Sequence, residues 1–226
     1  MRSQTQKIFL TAGLFFAATF SVMGQTQNTQ VIITWRANSY FPADYAGKAS
    51  AAPGAALTAS AELISAGKLQ DIVNANINWS LNGNLIDGGT GLKTVSFTAA
   101  AQNQGYEILN VSINTSKGVL ENSTRIPVSK PEVVLSFPYP QKSAKAGGQI
   151  TVSAIPFFFN VLSFDDLKFD WRINNEKVTV DGNKITANIG TPQSDFQNSV
   201  QILATVQNSK NLLEFARGTL ILPITQ

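Results

Sequence analysis

The hexapeptide Ile77-Asn78-Trp79-Ser80-Leu81-Asn82 returns as Phe169-Asp170-Trp171-Arg172-Ile173-Asn174, with the tryptophans 92 positions apart (171 less 79). Both copies read apolar, polar, Trp, polar, aliphatic, Asn. Downstream, the segment Ile108–Lys117 matches Val200–Lys210. Each copy then closes on an aliphatic-Pro-aliphatic step, Ile126-Pro127-Val128 and Leu222-Pro223-Ile224. A period this long, occurring twice, is one sandwich-sized unit duplicated and not a solenoid. Alternate residues of a strand share a face, so Ile77, Trp79 and Leu81 enter one core together. The pairs Asn82-Gly83 and Asn174-Asn175 supply the positive φ angles that a two-residue hairpin turn requires.

The rest of the chain carries the punctuation of an all-β protein, short Val/Ile/Thr/Phe runs between Gly, Pro, Asn, Asp and Ser clusters. In the first half this predicts strands over Val31–Ala37, Ala55–Leu63, Ile77–Leu81, Lys93–Thr98, Glu107–Asn114 and Glu121–Val128. In the second half it predicts Glu132–Phe137, Gln149–Ile155, Leu167–Ile173, Lys177–Val180, Lys184–Ile189, Ser199–Gln207 and Leu212–Leu222. The alanine-rich stretch Ala46–Ala61 is broken by Pro53-Gly54 and has no helical stripe, and Ser65–Val73 has room for one helical turn at most. The expected fold is two tandem immunoglobulin-like β-sandwiches, at 31–128 and 131–226. Pro127 and Pro131 bracket a three-residue join, which predicts domains nearly end to end with limited swing.

The Trp followed by a hairpin resembles the strand-C tryptophan of immunoglobulin-like domains. The 226 residues contain no cysteine, a departure from vertebrate-type domains that agrees with bacterial immunoglobulin-like and PKD-like domains. In those families the resemblance implies a Trp packed on aliphatics alone, here Trp79 and Trp171 as structural core. Thr34-Trp35-Arg36-Ala37-Asn38-Ser39-Tyr40, with Pro42 and Tyr45-Ala46-Gly47-Lys48, is similar to the opening of exported bacterial proteins carrying such domains in tandem. That likeness implies no particular activity.

Residues 1–24 read as a secretory signal peptide, with Arg2 and Lys7 before an apolar run and Val22 and Gly24 at the small-residue cleavage positions. The alternative is an uncleaved membrane anchor, since Ile8–Gly24 sits at the bottom of the spanning range. Cleavage removes two of the 17 bases and none of the 14 acids, so the formal charge falls from +3 to +1. Nothing in that balance points to nucleic acid. The expected location is secreted or cell envelope, where an absence of cysteine leaves each core to hold without a disulfide.

Histidine is also absent, which removes the Ser-His-Asp triad, a neutral-pH imidazole base and imidazole metal ligands. Cofactors and catalytic residues are therefore expected to be none. Asp165, Asp166, Asp170 and Asp181 are the densest acids. They read either as solvated turns or as an incomplete calcium site, for calcium takes six to eight oxygens. Gly88-Gly89-Thr90-Gly91 lacks the Gly-Lys-Ser/Thr ending of a phosphate loop. Ser116-Lys117 and Ser209-Lys210 recur at hairpin tips and read as turn chemistry.

Two aromatic features remain as binding surfaces. Tyr40, Phe41 and Tyr45 lie in a loop after the first strand, either lidding the sandwich or stacking on a sugar or protein partner. In Phe157-Phe158-Phe159 neighbours point to opposite sides, so Phe158 or its flanks face out or meet the other domain. Phe137-Pro138-Tyr139-Pro140 is a stiff segment that either crosses between sheets or forms a docking ridge. The expected function is a non-catalytic cell-envelope adhesion, spacer or surface-assembly module whose partner is another surface protein or a glycan. The alternative is a carbohydrate-binding module using the loop aromatics.

Overall fold

A computed structural model describes residues 29–100, 105–116, 118–190 and 198–226. The proposed signal segment 1–24 lies outside these residues. Among them the chain is all-β, and its helical content is a single 3-10 turn, Phe164–Asp166.

In the first half, β1 (Thr29–Ala37), β2 (Ala56–Ser65), β3 (Lys68–Gln70) and β6 (Thr94–Thr98) form one sheet in which β2 is central. The second sheet runs β5-β4-β7-β8, from Asn84–Thr90, Asn76–Leu81, Tyr106–Thr115 and Gly118–Pro127. In the second half, β14 (Lys184–Asn188), β11 (Gln149–Phe157) and β9 (Glu132–Ser136) form a three-stranded sheet. It faces the order β10-β16-β15-β12-β13, from Ala144–Lys145, Asn211–Thr225, Ser199–Asn208, Leu167–Ile173 and Glu176–Val178. This is immunoglobulin-like pairing, each core filled by the alternate residues of two facing sheets.

Two hydrophobic clusters result, one built from residues between Val31 and Ile126, the other from residues between Val133 and Leu222. Trp79 and Trp171 are fully buried, one in each cluster. Each indole satisfies its N–H on a backbone carbonyl, Trp79 Nε1 on Leu92 at 3.0 Å and Trp171 Nε1 on Gly182 at 3.1 Å. A buried indole N–H needs such a partner, and both halves provide it in the same way.

The repeated turns also match. Asn82 and Gly83 have φ of 51° and 84°, and Asn174 and Asn175 have 48° and 70°. The Asn82 carboxamide oxygen accepts from the Ile108 N–H at 2.9 Å, and that of Asn174 from Gln201 at 2.9 Å. Each turn is thereby tied to the neighbouring long strand.

Several boundaries differ from the sequence expectation. Ser65–Val73 holds no helical turn; Ala66 and Gly67, both at positive φ, reverse the chain into the short β3. Residues 88–90 belong to strand β5. A Cβ at Gly88 would lie 2.5 Å from the Asn78 carboxamide oxygen, so that side chain would have to turn aside to admit one. The strand expected at Lys177–Val180 is Glu176–Val178, and β10 was too short to carry a periodic signal.

Candidate functional site

The most built-up feature outside the two cores lies where the loop of residues 38–55 meets residues 157–164. Small side chains let this loop pack closely, and Ala51, Ala52 and Ala55 are fully buried. Ala51 donates to the Pro127 carbonyl and accepts from Ser129, both at 2.9 Å. Ser50 Oγ adds a 2.7 Å bond to Ser129 Oγ. The join at 129–131 is therefore stitched to the loop rather than free.

Tyr40 continues the contact through its main chain. Its N–H donates to the Phe159 carbonyl and its carbonyl accepts from the Phe158 N–H, both at 2.7 Å. Asn160 Nδ2 donates to the Gly54 carbonyl at 3.0 Å. Phe158 adopts φ 58°, a left-handed conformation that is rare for a bulky side chain and persists only where the surroundings enforce it. This kink resolves the three successive phenylalanines. Phe159 turns wholly into the second core, whereas Phe157 and Phe158 stay half-buried and meet Tyr45.

The Tyr45 ring packs edge-on against Phe157 at 5.5 Å and Phe158 at 5.8 Å between centroids. Its own backbone N–H closes a turn on the Pro42 carbonyl at 3.0 Å. Gly47 makes room, since any Cβ there would collide with the Tyr45 ring. Phe41 leans on Tyr45 at 5.7 Å and remains 36% exposed. Tyr40 packs on Phe164 at 5.8 Å, and Phe164 in turn on Phe169. Burial, then the nearby Asp44 carboxylate, holds the Tyr40 hydroxyl above its ordinary ionisation range.

Tyr40, Phe41, Tyr45 and Phe158 are thus brought together, and Trp79 and Trp171 stand apart in their cores. The rings are tilted to one another by 53–82°. They face each other and do not offer one common plane of the kind a sugar ring stacks on.

Polar residues that the sequence did not single out brace the far side. Glu214 Oε1 accepts from the Asn160 N–H at 2.7 Å, and Glu214 Oε2 from Asn208 Nδ2 at 2.5 Å. Asn208 is itself buried and also reaches the Asn160 carbonyl at 3.3 Å. Glu214 is the only acid in β16, the one sequence cue to this role. Glu107 likewise went unnoticed: it is buried, and its Oε1 accepts from the Ala100 N–H at 2.6 Å.

Of the four acids singled out in the sequence, Asp165 and Asp181 line one pocket, and the other two are paired with bases. Asp166 pairs with Lys210 at 2.8 Å, and Asp170 pairs with Lys177 at 2.5 Å and Arg172 at 3.8 Å. Among the described residues, no group of three or more acids is placed to hold a metal ion. No helix among them is long and apolar enough to cross a membrane. The chemistry available at the junction is aromatic packing and main-chain hydrogen bonding.

No known protein family and no curated protein matches the sequence. Among solved structures, the chain is similar to three N-terminal domains of the Highly Immunogenic Outer Capsid protein (Hoc) of bacteriophage RB49. The identity is 13% and the TM-score 0.49, over 87% of this chain and 59% of that one. The chain thus spans 59% of the length of that fragment. It is also similar to the fibronectin(III)-like modules of Clostridium thermocellum CbhA, with 14% identity, TM-score 0.30, and 82% and 94% of the two chains covered. A third likeness is to the N-terminal four Ig domains of Dscam1, with 9% identity, TM-score 0.33, and 78% and 43% covered.

Proposed function

We propose that the chain is an exported, non-catalytic cell-envelope protein of the bacterial immunoglobulin-like or PKD-like kind. In this reading residues 1–24 direct export, and two domains, 31–128 and 131–226, act as a spacer and interaction module in adhesion or surface assembly. The observation that carries it is the double main-chain bond between Tyr40 and residues 158–159, closed over by Tyr45. A spacer must keep its modules in one orientation, and a short join alone leaves relative motion as the default. Ordered main-chain pairing and buried aromatic area at the join work against that motion.

Small-angle scattering of the wild type and of Tyr45→Ala tests this. The expected result is a single arrangement of the halves in the wild type and an ensemble in the variant. Equal flexibility in both overturns the spacer reading. Mass spectrometry of the mature N-terminus tests export, with Gln25 as the expected first residue.

The competing carbohydrate-binding reading draws its support from Phe41, the ring of the 38–55 loop that is left exposed. Selective glycan binding that is lost in Phe41→Ala would favour it.

A further inference from the structure

The second half keeps part of one strand edge open. β12 pairs with β15 along its whole length, Leu167–Ile173, but on its other side β13 covers only Trp171–Ile173. β13 ends at Val178, and the chain then leaves for the Asp181-Gly182 connection. Among the described residues, 167–170 therefore have no strand on that side. A cavity of about 520 Å³ lies beside this edge, between residues 164–169 and the connection at Asp181-Gly182.

The cavity walls combine aromatic rings with carboxylates. Phe164 and Phe169 pack at 5.3 Å between centroids, tilted by 32°. Tyr40 packs on Phe164 at 5.8 Å, so that ring is braced from a second side. Asp165 and Asp181 are exposed, and among the described residues neither carboxylate has an ion-pair or hydrogen-bond partner. Lys168 also lines the cavity but pairs with neither acid, and strand alternation sends it to the face opposite Phe169. Two acids against one base leave an excess of one negative charge.

Aromatic faces beside unmatched carboxylates suit an organic cation, and guanidinium both stacks on rings and bonds carboxylates bidentately. The open edge adds main-chain donors and acceptors, which a free cation leaves unused and an extended peptide pairs with. We propose that a partner protein adds an extended segment to β12 at residues 167–170 and places an arginine in this cavity. The guanidinium packs on Phe164 and Phe169 and is neutralised by Asp165 and Asp181. Main-chain pairing supplies affinity, and the pocket supplies the choice of side chain. The inference rests on the surface-assembly reading and names the chemistry of the partner.

Amide NMR titration of the full chain tests this, with the capped peptide Thr-Val-Arg-Val-Thr as the probe. The expected result is saturable shifts at residues 167–170 and at Gly182. Citrulline in place of the arginine keeps its shape without the charge, and is expected to weaken binding about five-fold. Asp165→Asn and Asp181→Asn are each expected to weaken it by about two- to five-fold. Lys168→Ala removes the opposing charge and is expected to tighten it. All three side chains are exposed, and unchanged melting temperatures establish that the variants fold. Absent shifts at these residues, equal binding of the citrulline peptide, carboxamide variants that bind like the wild type, or weaker binding in Lys168→Ala overturn the proposal. Butylguanidinium that binds as tightly as the peptide makes this a site for a small cation and overturns the assignment to a protein. The spacer reading stands or falls separately, because it is read from the Tyr45→Ala scattering.

Discussion

The N–H of Tyr40 donates to the carbonyl of Phe159 at 2.7 Å, joining the loop after the first strand to the segment that enters the second hydrophobic core. The bond works as a lever on side-chain direction. Held by Tyr40 on one side and by the Glu214–Asn160 bond on the other, the chain at Phe158 is pressed into a left-handed turn. That turn sends Phe159 inward and leaves Phe157 and Phe158 for Tyr45.

The strain at Phe158 is separable from its packing. Phe158→Ala and Phe158→Asn both delete the ring that touches Tyr45, but asparagine visits the left-handed region more readily than alanine does. Both variants are expected to be destabilised, with Phe158→Asn the milder by up to about 1 kcal/mol. Chemical denaturation measures this, and an order reversed in favour of alanine would mean that φ is not held positive in solution.

Gly47 is expected to control the same contact from the opposite side. Its missing Cβ is the space that the Tyr45 ring occupies. Gly47→Ala must move that ring, which leaves Phe157 and Phe158 without their edge-on partner; such aromatic pairs contribute about 0.5–1.5 kcal/mol each beyond area burial. Faster hydrogen exchange at the Tyr40 and Phe158 amides, with the Trp79 and Trp171 cores unchanged, is the expected signature. Uniform loss of protection across both cores would count against a local effect.

The duplicated turns offer an internal control. Asn82 and Asn174 each combine positive φ with a side-chain bond to a neighbouring strand. Replacing either by Ala adds backbone strain and removes that bond, for an expected loss of about 2 kcal/mol in each case. Glycine keeps the conformation and loses only the bond, so Asn82→Gly and Asn174→Gly should cost about 1 kcal/mol. Equal costs for alanine and glycine would remove the conformational part of the explanation.

The same comparison shows what was legible in the sequence. Strand alternation, the paired tryptophans and the Asn-led turns are local signals with a fixed period, and they located most strands to within two residues. The engaged positions of Tyr40, Tyr45 and Phe158 were less legible. Periodicity shows that three successive phenylalanines cannot share a face, but which one turns inward depends on a hydrogen bond to a loop more than a hundred residues away. The bracing by Asn208 and Glu214 was invisible for a related reason. A lone half-buried acid and a buried amide carry no pattern until the fold places them opposite Asn160. Short strands such as β3 and β10 fell below the length at which alternation can be read.

Ionisation of Tyr40 provides a test of the junction by pH. Burial is the main cause, and the Asp44 charge the second, that keeps its hydroxyl protonated above the ordinary range. An unfolded tyrosine ionises near 10. With the folded value raised, the neutral form's contribution to stability is complete below about 10 and is lost as pH rises through the folded value. Denaturation midpoints measured from pH 8 to 11 should therefore fall at the alkaline end. The informative quantity is the difference between wild type and Tyr40→Phe, which isolates this one group. The variant keeps the ring on Phe164 and the main-chain bonds to residues 158 and 159, and lacks only the ionising group. A flatter alkaline limb in Tyr40→Phe is the expected outcome, and identical limbs would place the Tyr40 hydroxyl in ordinary solvent.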